Sequence, residues 1–273
     1  VFSKTSPWYN ISMIFLPIFI FGLGLIIGSF LNVVILRLNT GWSIVSGRSK
    51  CDRCNKNLSW YELIPVFSFL GLRGKCKECK APISFQNPVI ELTTAIVFVV
   101  LYTKVFLSSG FGWFSLVSFL GSAILASLLI VILAYDFRHK IIPDKIVYPF
   151  IILALVSIFW KIIFITGFSF VPFLIAGPVF ASPFFFIWLF SKGSAMGFGD
   201  VKLALGMGFV LGLSASLATF LLSFWIGAIA GLFLIALSRA SLKTQVPFAP
   251  FMILAFFIVT TWGVTISSLF PIW

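Results

Sequence analysis

The sequence predicts an all-α polytopic membrane protein of about eight transmembrane helices, broken once by a small polar insert that carries four cysteines. Three observations predict it. Hydrophobic residues make up 60% of the 273 positions and charged residues only 10%, with a mean hydropathy of +1.15, whereas soluble domains are about one quarter charged. Apolar runs of membrane-spanning length recur along the whole chain. Only residues 37–90 interrupt them for long, with two Cys-x-x-Cys pairs.

Taken in order, the apolar runs cover residues 11–36, 91–106, 111–135, 145–165, 168–190, 201–213, 214–238 and 247–270. The first is about 26 residues long, too long for a signal-peptide core and without a small-residue cleavage site, so it is expected to stay as a span. Three domains follow: the first helix (1–36), the insert (37–90) and a transmembrane core (91–273). The 35 Phe and 9 Trp suit side chains facing the lipid bilayer and its headgroups. Small residues recur four apart, at Gly24 and Gly28, Gly208 and Gly212, and Gly227 and Gly231, as helices packing closely in lipid require. No internal repeat is evident.

A net charge of +12 raises nucleic acid as a partner, but the basic residues sit in short loops between spans, which excludes it. They report orientation instead. With the N-terminus outside, segments 37–90, 137–145, 191–202 and 239–246 face inward and hold sixteen of the nineteen Lys and Arg residues. All seven acids, Asp52, Glu62, Glu78, Glu91, Asp136, Asp144 and Asp200, then lie at or near that inner face. Carboxylate chemistry is expected on the cytoplasmic side.

Cys51 and Cys54 are followed, twenty-one residues later, by Cys76 and Cys79. Two such pairs can close four thiolates tetrahedrally around structural zinc. An insert too small for its own core gains most from a metal clip. The other reading is disulfides or idle thiols, against which the reducing inner location argues. Between the pairs, Trp60, Tyr61, Leu63 and Ile64 would let the chain rest on the membrane interface. Glu91 is either a carboxylate favoured near a helix N-terminus or a substrate contact.

Two acids have no solvation reason to be where they are. Asp136 ends the third span and Asp200 opens the sixth, and chain parity puts both on one membrane face. Ionisable groups at spans are functional candidates by default. Asp144, after Pro143 and before an apolar run, reads more simply as a helix-initiating carboxylate. With no Ser-His pair and no His-rich metal motif beside them, Asp136 and Asp200 suit aspartic proteolysis: one carboxylate takes a proton from attacking water while the protonated partner donates to the scissile carbonyl. A close pair shares a proton. The macrodipole disfavours an anion at the helix C-terminus of Asp136 and favours one at the N-terminus of Asp200, making Asp200 the base and Asp136 the acid. Gly197 and Gly199, flanking Phe198, are expected to permit positive φ and close approach of an extended substrate.

These residues resemble the type IV prepilin leader peptidase and N-methyltransferase family. The resemblance covers nearly the whole chain: residues 28–35, 47–51, the Trp60-Tyr61-Glu62-Leu63-Ile64-Pro65-Val66 segment, Gly74-Lys75-Cys76, 88–91, 136–144, 195–203 and 246–251. It implies eight membrane helices with a cytoplasmic zinc-ribbon insert, in the bacterial inner membrane. It also implies cleavage of the basic leader of prepilins or pseudopilins after a glycine, then methylation of the new N-terminus from S-adenosylmethionine. The family's catalytic aspartates fall on Asp136 and Asp200, and its Pro-Asp on Asp144. The chain departs from the family at Asn39, Asn87 and Ala249, none of which touches the acid pair. No strand followed by G-x-G-x-x-G occurs, so a methyl-donor site would not be a Rossmann one. Glu62 and Glu91, acids in a basic surrounding, are candidates for holding the leader or the new amine. Two further classes compete: a proton-coupled carrier relaying protons through Asp136 and Asp200, and a scaffold docking through the insert. Acids at one face, and no inverted repeat, argue against the carrier.

Overall fold

In a computed structural model that describes residues 7–51, 53–165, 167–237 and 246–270, the chain is helical almost throughout, with no strand among these residues. Asp52, and Lys4, Arg239 and Lys243 of the charge argument, lie outside the described residues. Among the described residues ten α-helices follow one another: α1 Pro7–Arg37, α2 Phe67–Gly71, α3 Gln86–Ser109, α4 Trp113–His139, α5 Asp144–Phe164, α6 Val171–Ser191, α7 Phe198–Leu211, α8 Leu213–Ala236, α9 Ala249–Trp262 and α10 Ile266–Leu269. A single 3-10 turn, Trp60–Leu63, precedes α2. Of these, α1, α3, α4, α5, α6 and α8 are long and apolar enough to cross a membrane.

Two of the eight expected spans fall short. α7 and α9 have 14 residues each, about 21 Å at ~1.5 Å per residue against a hydrocarbon layer of ~30 Å. The apolar run at 247–270 breaks because Gly263 ends α9 in the left-handed region at φ 65°. α7 is apolar all round for a different reason. Leu203, Ala204 and Met207 are fully buried by α5 and α6, so protein and not lipid surrounds it.

The chain divides into two compact units, Val1–Ser127 and Leu128–Trp273. In the first, α1 lies against α3 because two glycines let the backbones touch: a Cβ at Gly24 would stand 2.5 Å from Ala95 Cα, and one at Gly28 2.6 Å from Glu91 Cα. Ile20, Phe98, Tyr102, Phe119 and Ala123 pack beside that seam. In the second, a Cβ at Gly208 would meet the Ala176 carbonyl of α6 at 2.5 Å, and Gly206 leaves room for the Phe150 ring of α5. Gly212 and Gly227 face phenylalanine rings, whereas Gly231 faces open space, so close packing holds for five of the six spaced glycines.

The insert does contain a repeat, of two turns, that the sequence reading missed. Lys50 bridges Asn57 and Lys75 bridges Pro82, each pair 25 positions after its counterpart. The Cys51 amide donates to the Lys56 carbonyl and the Cys76 amide to the Ala81 carbonyl, while Asn55 and Lys80 both take φ 56°. Each knuckle is the same folded piece, and together they present two thiols apiece.

Candidate active site

Asp136 lies three residues before the end of α4 and is 5% exposed. No hydrogen-bond donor among the described residues reaches its carboxylate, and Lys140 N–H caps its backbone carbonyl at 2.8 Å. Asp200 stands in the first turn of α7, after the N-cap Gly197, and its carboxylate accepts from the amides of Gly197 and of Asp200 itself. Those donors are what a helix N-terminus offers an anion. Asp200 lies within electrostatic reach of the Asp136 carboxylate.

The expectation for the glycines needs correction. Gly197 has φ −75° and ψ 151°, extended backbone open to any residue, and Gly199 sits inside the helix; neither takes positive φ. Gly199 matters for approach, but of the protein to itself: a Cβ there would lie 2.8 Å from Ile142 Cβ. That contact joins the start of α7 to the connection between α4 and α5. A second join was not foreseen. Lys202 Nζ reaches Asp144 Oδ1 at 2.7 Å, and stands 4.9 Å from the centre of the Tyr148 ring. Asp144 does begin α5, as expected, and also pins it to α7. The signal was available in a lysine two positions after Asp200 and an acid without a partner at position 144. Beside Asp200's helix an apolar groove of about 280 Å³ opens between α6 and α7, lined by Phe185, Phe198, Val201 and Leu205, with Lys202 on its wall.

In the first unit, the Sγ atoms of Cys51, Cys54, Cys76 and Cys79 all lie within 4.8 Å of one another. Cys51 and Cys79 are 3.8 Å apart. This is nearly twice a disulfide's S–S bond of ~2.05 Å, and it equals the edge of a tetrahedron with Zn–S of ~2.3 Å. Amide N–H groups of Cys54 and Arg53 pull the Cys51 thiol down to about 7, toward the thiolate a metal needs. The cluster could hold zinc.

Glu62 and Glu91 serve the chain itself. Glu62 is buried, and its Oε2 accepts the Ser59 amide at 2.8 Å, closing the turn Trp60–Leu63. Its Oε1 has only Lys56 near it, at 3.8 Å. Glu91 is buried a turn and a half into α3, and its Oε2 accepts the Val66 amide at 2.7 Å. Ser29, on α1, bonds the same carboxylate. Glu91 thus stands beyond the first turn of α3, with its carboxylate turned to the insert and to α1.

Membrane-length helices, two acids near helix ends and an insert whose four thiols could hold a metal define a polytopic membrane enzyme. Two family models match in sequence order: the bacterial peptidase A24 N-terminal domain over residues 22–105 and the type IV leader peptidase family over residues 123–232. Curated relatives agree. One from Xanthomonas campestris pv. campestris is 33% identical over 269 residues, covering 89% of this chain and 90% of the relative. Another from Pseudomonas aeruginosa is 32% identical over 270 residues, at 88% of each chain. A third, from Bacillus subtilis, is 32% identical over 249 residues, at 85% of this chain and 88% of the relative. All three are named prepilin leader peptidase/N-methyltransferase. No solved structure matches. The chain belongs to the type IV leader peptidase family.

Proposed function

We propose that the protein cleaves the short basic leader of type IV prepilins or pseudopilins at the cytoplasmic face of the bacterial inner membrane. It then methylates the new N-terminus from S-adenosylmethionine. The observation that carries the peptidase reading is the placement of Asp200 within reach of the Asp136 charge, with the Gly199–Ile142 contact and the Lys202–Asp144 bridge joining the start of α7 to the α4–α5 connection and α5. Asp200, at the N-terminus of α7 where the helix dipole favours an anion, is assigned the resting carboxylate; it takes a proton from water as the oxygen attacks the scissile carbonyl. Asp136, in the last turn of α4 where the dipole disfavours an anion, is assigned the shared proton and gives it to the carbonyl oxygen. Collapse of the tetrahedral intermediate returns a proton to the leaving amine and frees the leader.

The relatives' names support the substrate and the second activity. The inward excess of Lys and Arg supports an outside N-terminus. Cys51, Cys54, Cys76 and Cys79 would hold zinc as a closed structural site that clips the two knuckles together. Gly197, on the open side of Asp200, is the glycine we retain as a substrate contact.

The test uses detergent-purified protein and a prepilin. Leader cleavage lost in Asp136→Ala and in Asp200→Ala supports the peptidase; proton flux from reconstituted protein without cleavage supports a carrier and overturns it. Mass spectrometry of the processed substrate's first residue, with and without S-adenosylmethionine, tests the methyl transfer.

A further inference from the structure

The segment between the cysteine pairs is tied lower than the insert's own ends. The insert leaves α1 at Arg37 and enters α3 at Gln86. Its fastening lies inside the helices, where the Val66 amide meets Glu91 and Ser29 bonds the same carboxylate. At ~1.5 Å per residue, Glu91 is about 7.5 Å along α3 from Gln86, and Ser29 about 12 Å back along α1 from Arg37. Val66 is therefore fastened to side chains that lie within the two spans and not to their terminal residues.

The backbone there is strained to make the contact. Val66 has φ 61° and ψ −49°, and the Phe67 amide donates to the Pro65 carbonyl at 2.6 Å. This is the rare form of γ-turn, and a β-branched residue in it is an outlier that neighbouring contacts must hold. Glu91 is that contact. What the turn carries at this level is apolar and bare: Trp60 is 78% exposed, Phe67 67% and Leu70 65%. On the two spans that hold the turn, Phe30 of α1 and Val89 and Ile96 of α3 are exposed apolar side chains as well. The knuckles on either side are basic, with nine Lys and Arg against three acids in residues 37–90.

We propose that residues 60–71 are an interfacial wedge that beds in the boundary between headgroups and acyl chains of an anionic phospholipid surface. Trp60, Phe67 and Leu70 enter the acyl layer, the basic knuckles rest on the headgroups, and Glu91 sets the depth through Val66. Apolar side chains under a basic rim are the pattern of segments lying in the plane of a membrane.

The experiment places a photoreactive benzoylphenylalanine singly at Phe67, Leu70 and Val45 of the full chain. Nanodiscs contain phosphatidylethanolamine with phosphatidylglycerol, or phosphatidylcholine alone. After irradiation, mass spectrometry is expected to find lipid adducts at 67 and 70 but not at 45, with a lower yield in phosphatidylcholine. Glu91→Ala is expected to lose the adduct at 67 while zinc content is unchanged, and Glu91→Gln, which keeps an acceptor, to retain it. Adducts at 67 and 70 to another stretch of the chain or to an added prepilin, or no adducts at all, overturn the wedge. Equal yields in the two lipids overturn the headgroup contact, and an adduct at 67 that survives Glu91→Ala overturns the role of Glu91.

Discussion

At position 199 a single methyl group decides whether two parts of the site can touch. Gly199→Ala puts a Cβ 2.8 Å from Ile142 Cβ, and overpacking of this kind costs about 1–3 kcal/mol. The melting temperature is expected to fall accordingly, and cleavage to fall with it because α7 is displaced from Ile142; thermal melting and a prepilin cleavage assay check the two. Gly197→Ala meets nothing nearer than 3.9 Å, so its melting temperature should equal that of the wild type, and any loss of cleavage there reports on substrate. Lys202→Ala removes a partly exposed ion pair worth about 0.2–1 kcal/mol; thermal melting should drop only slightly. Asp136 and Asp200 were legible in the sequence because an acid among lipid-facing residues demands a reason. Ile142 and Lys202 were not, because their importance is a contact between segments about 57 to 58 positions apart, and no local pattern encodes it.

Among the elements, the insert and α7 show the two ways a short piece is stabilised. The insert relies on its thiols: purified protein is expected to hold one zinc per chain by elemental analysis, and Cys76→Ser to lose it. With the metal stripped by a chelator, residues 47–58 and 74–83 should become the first sites of proteolysis. Its acid sensitivity has a second source. The Ser59 amide, more than any other group, holds the Glu62 carboxyl below its ordinary value. Its stabilising effect is therefore complete above the unfolded carboxylate pKa of ~4.3 and drains away as pH falls through the lower folded value. Hydrogen exchange of residues 59–63 should rise over that acid window in wild type, and Glu62→Gln should be less sensitive to it. The cysteine spacing made the metal module readable in advance. The shortness of the run at 201–213 was readable from its thirteen residues. That α5 and α6 enclose it was not, since an apolar run of that composition fits lipid and protein equally well, and only the packing of Phe150 and Ala176 against its glycines decides.

For the whole molecule, the membrane-length helices follow from where charge is allowed in an apolar chain. The orientation has its own check. A membrane-impermeant amine reagent should modify lysines of residues 37–90 in inside-out vesicles and leave them untouched in sealed right-side-out cells. The central claim is that Asp136 and Asp200 work as one proton-sharing unit, and a double-mutant cycle on leader cleavage tests it most directly. Asp136→Asn and Asp200→Asn should each lower kcat by about 10²–10⁴-fold, and the double variant should be scarcely worse than either. Cleavage near the wild-type rate in either single variant, or losses that multiply in the double, would contradict the account.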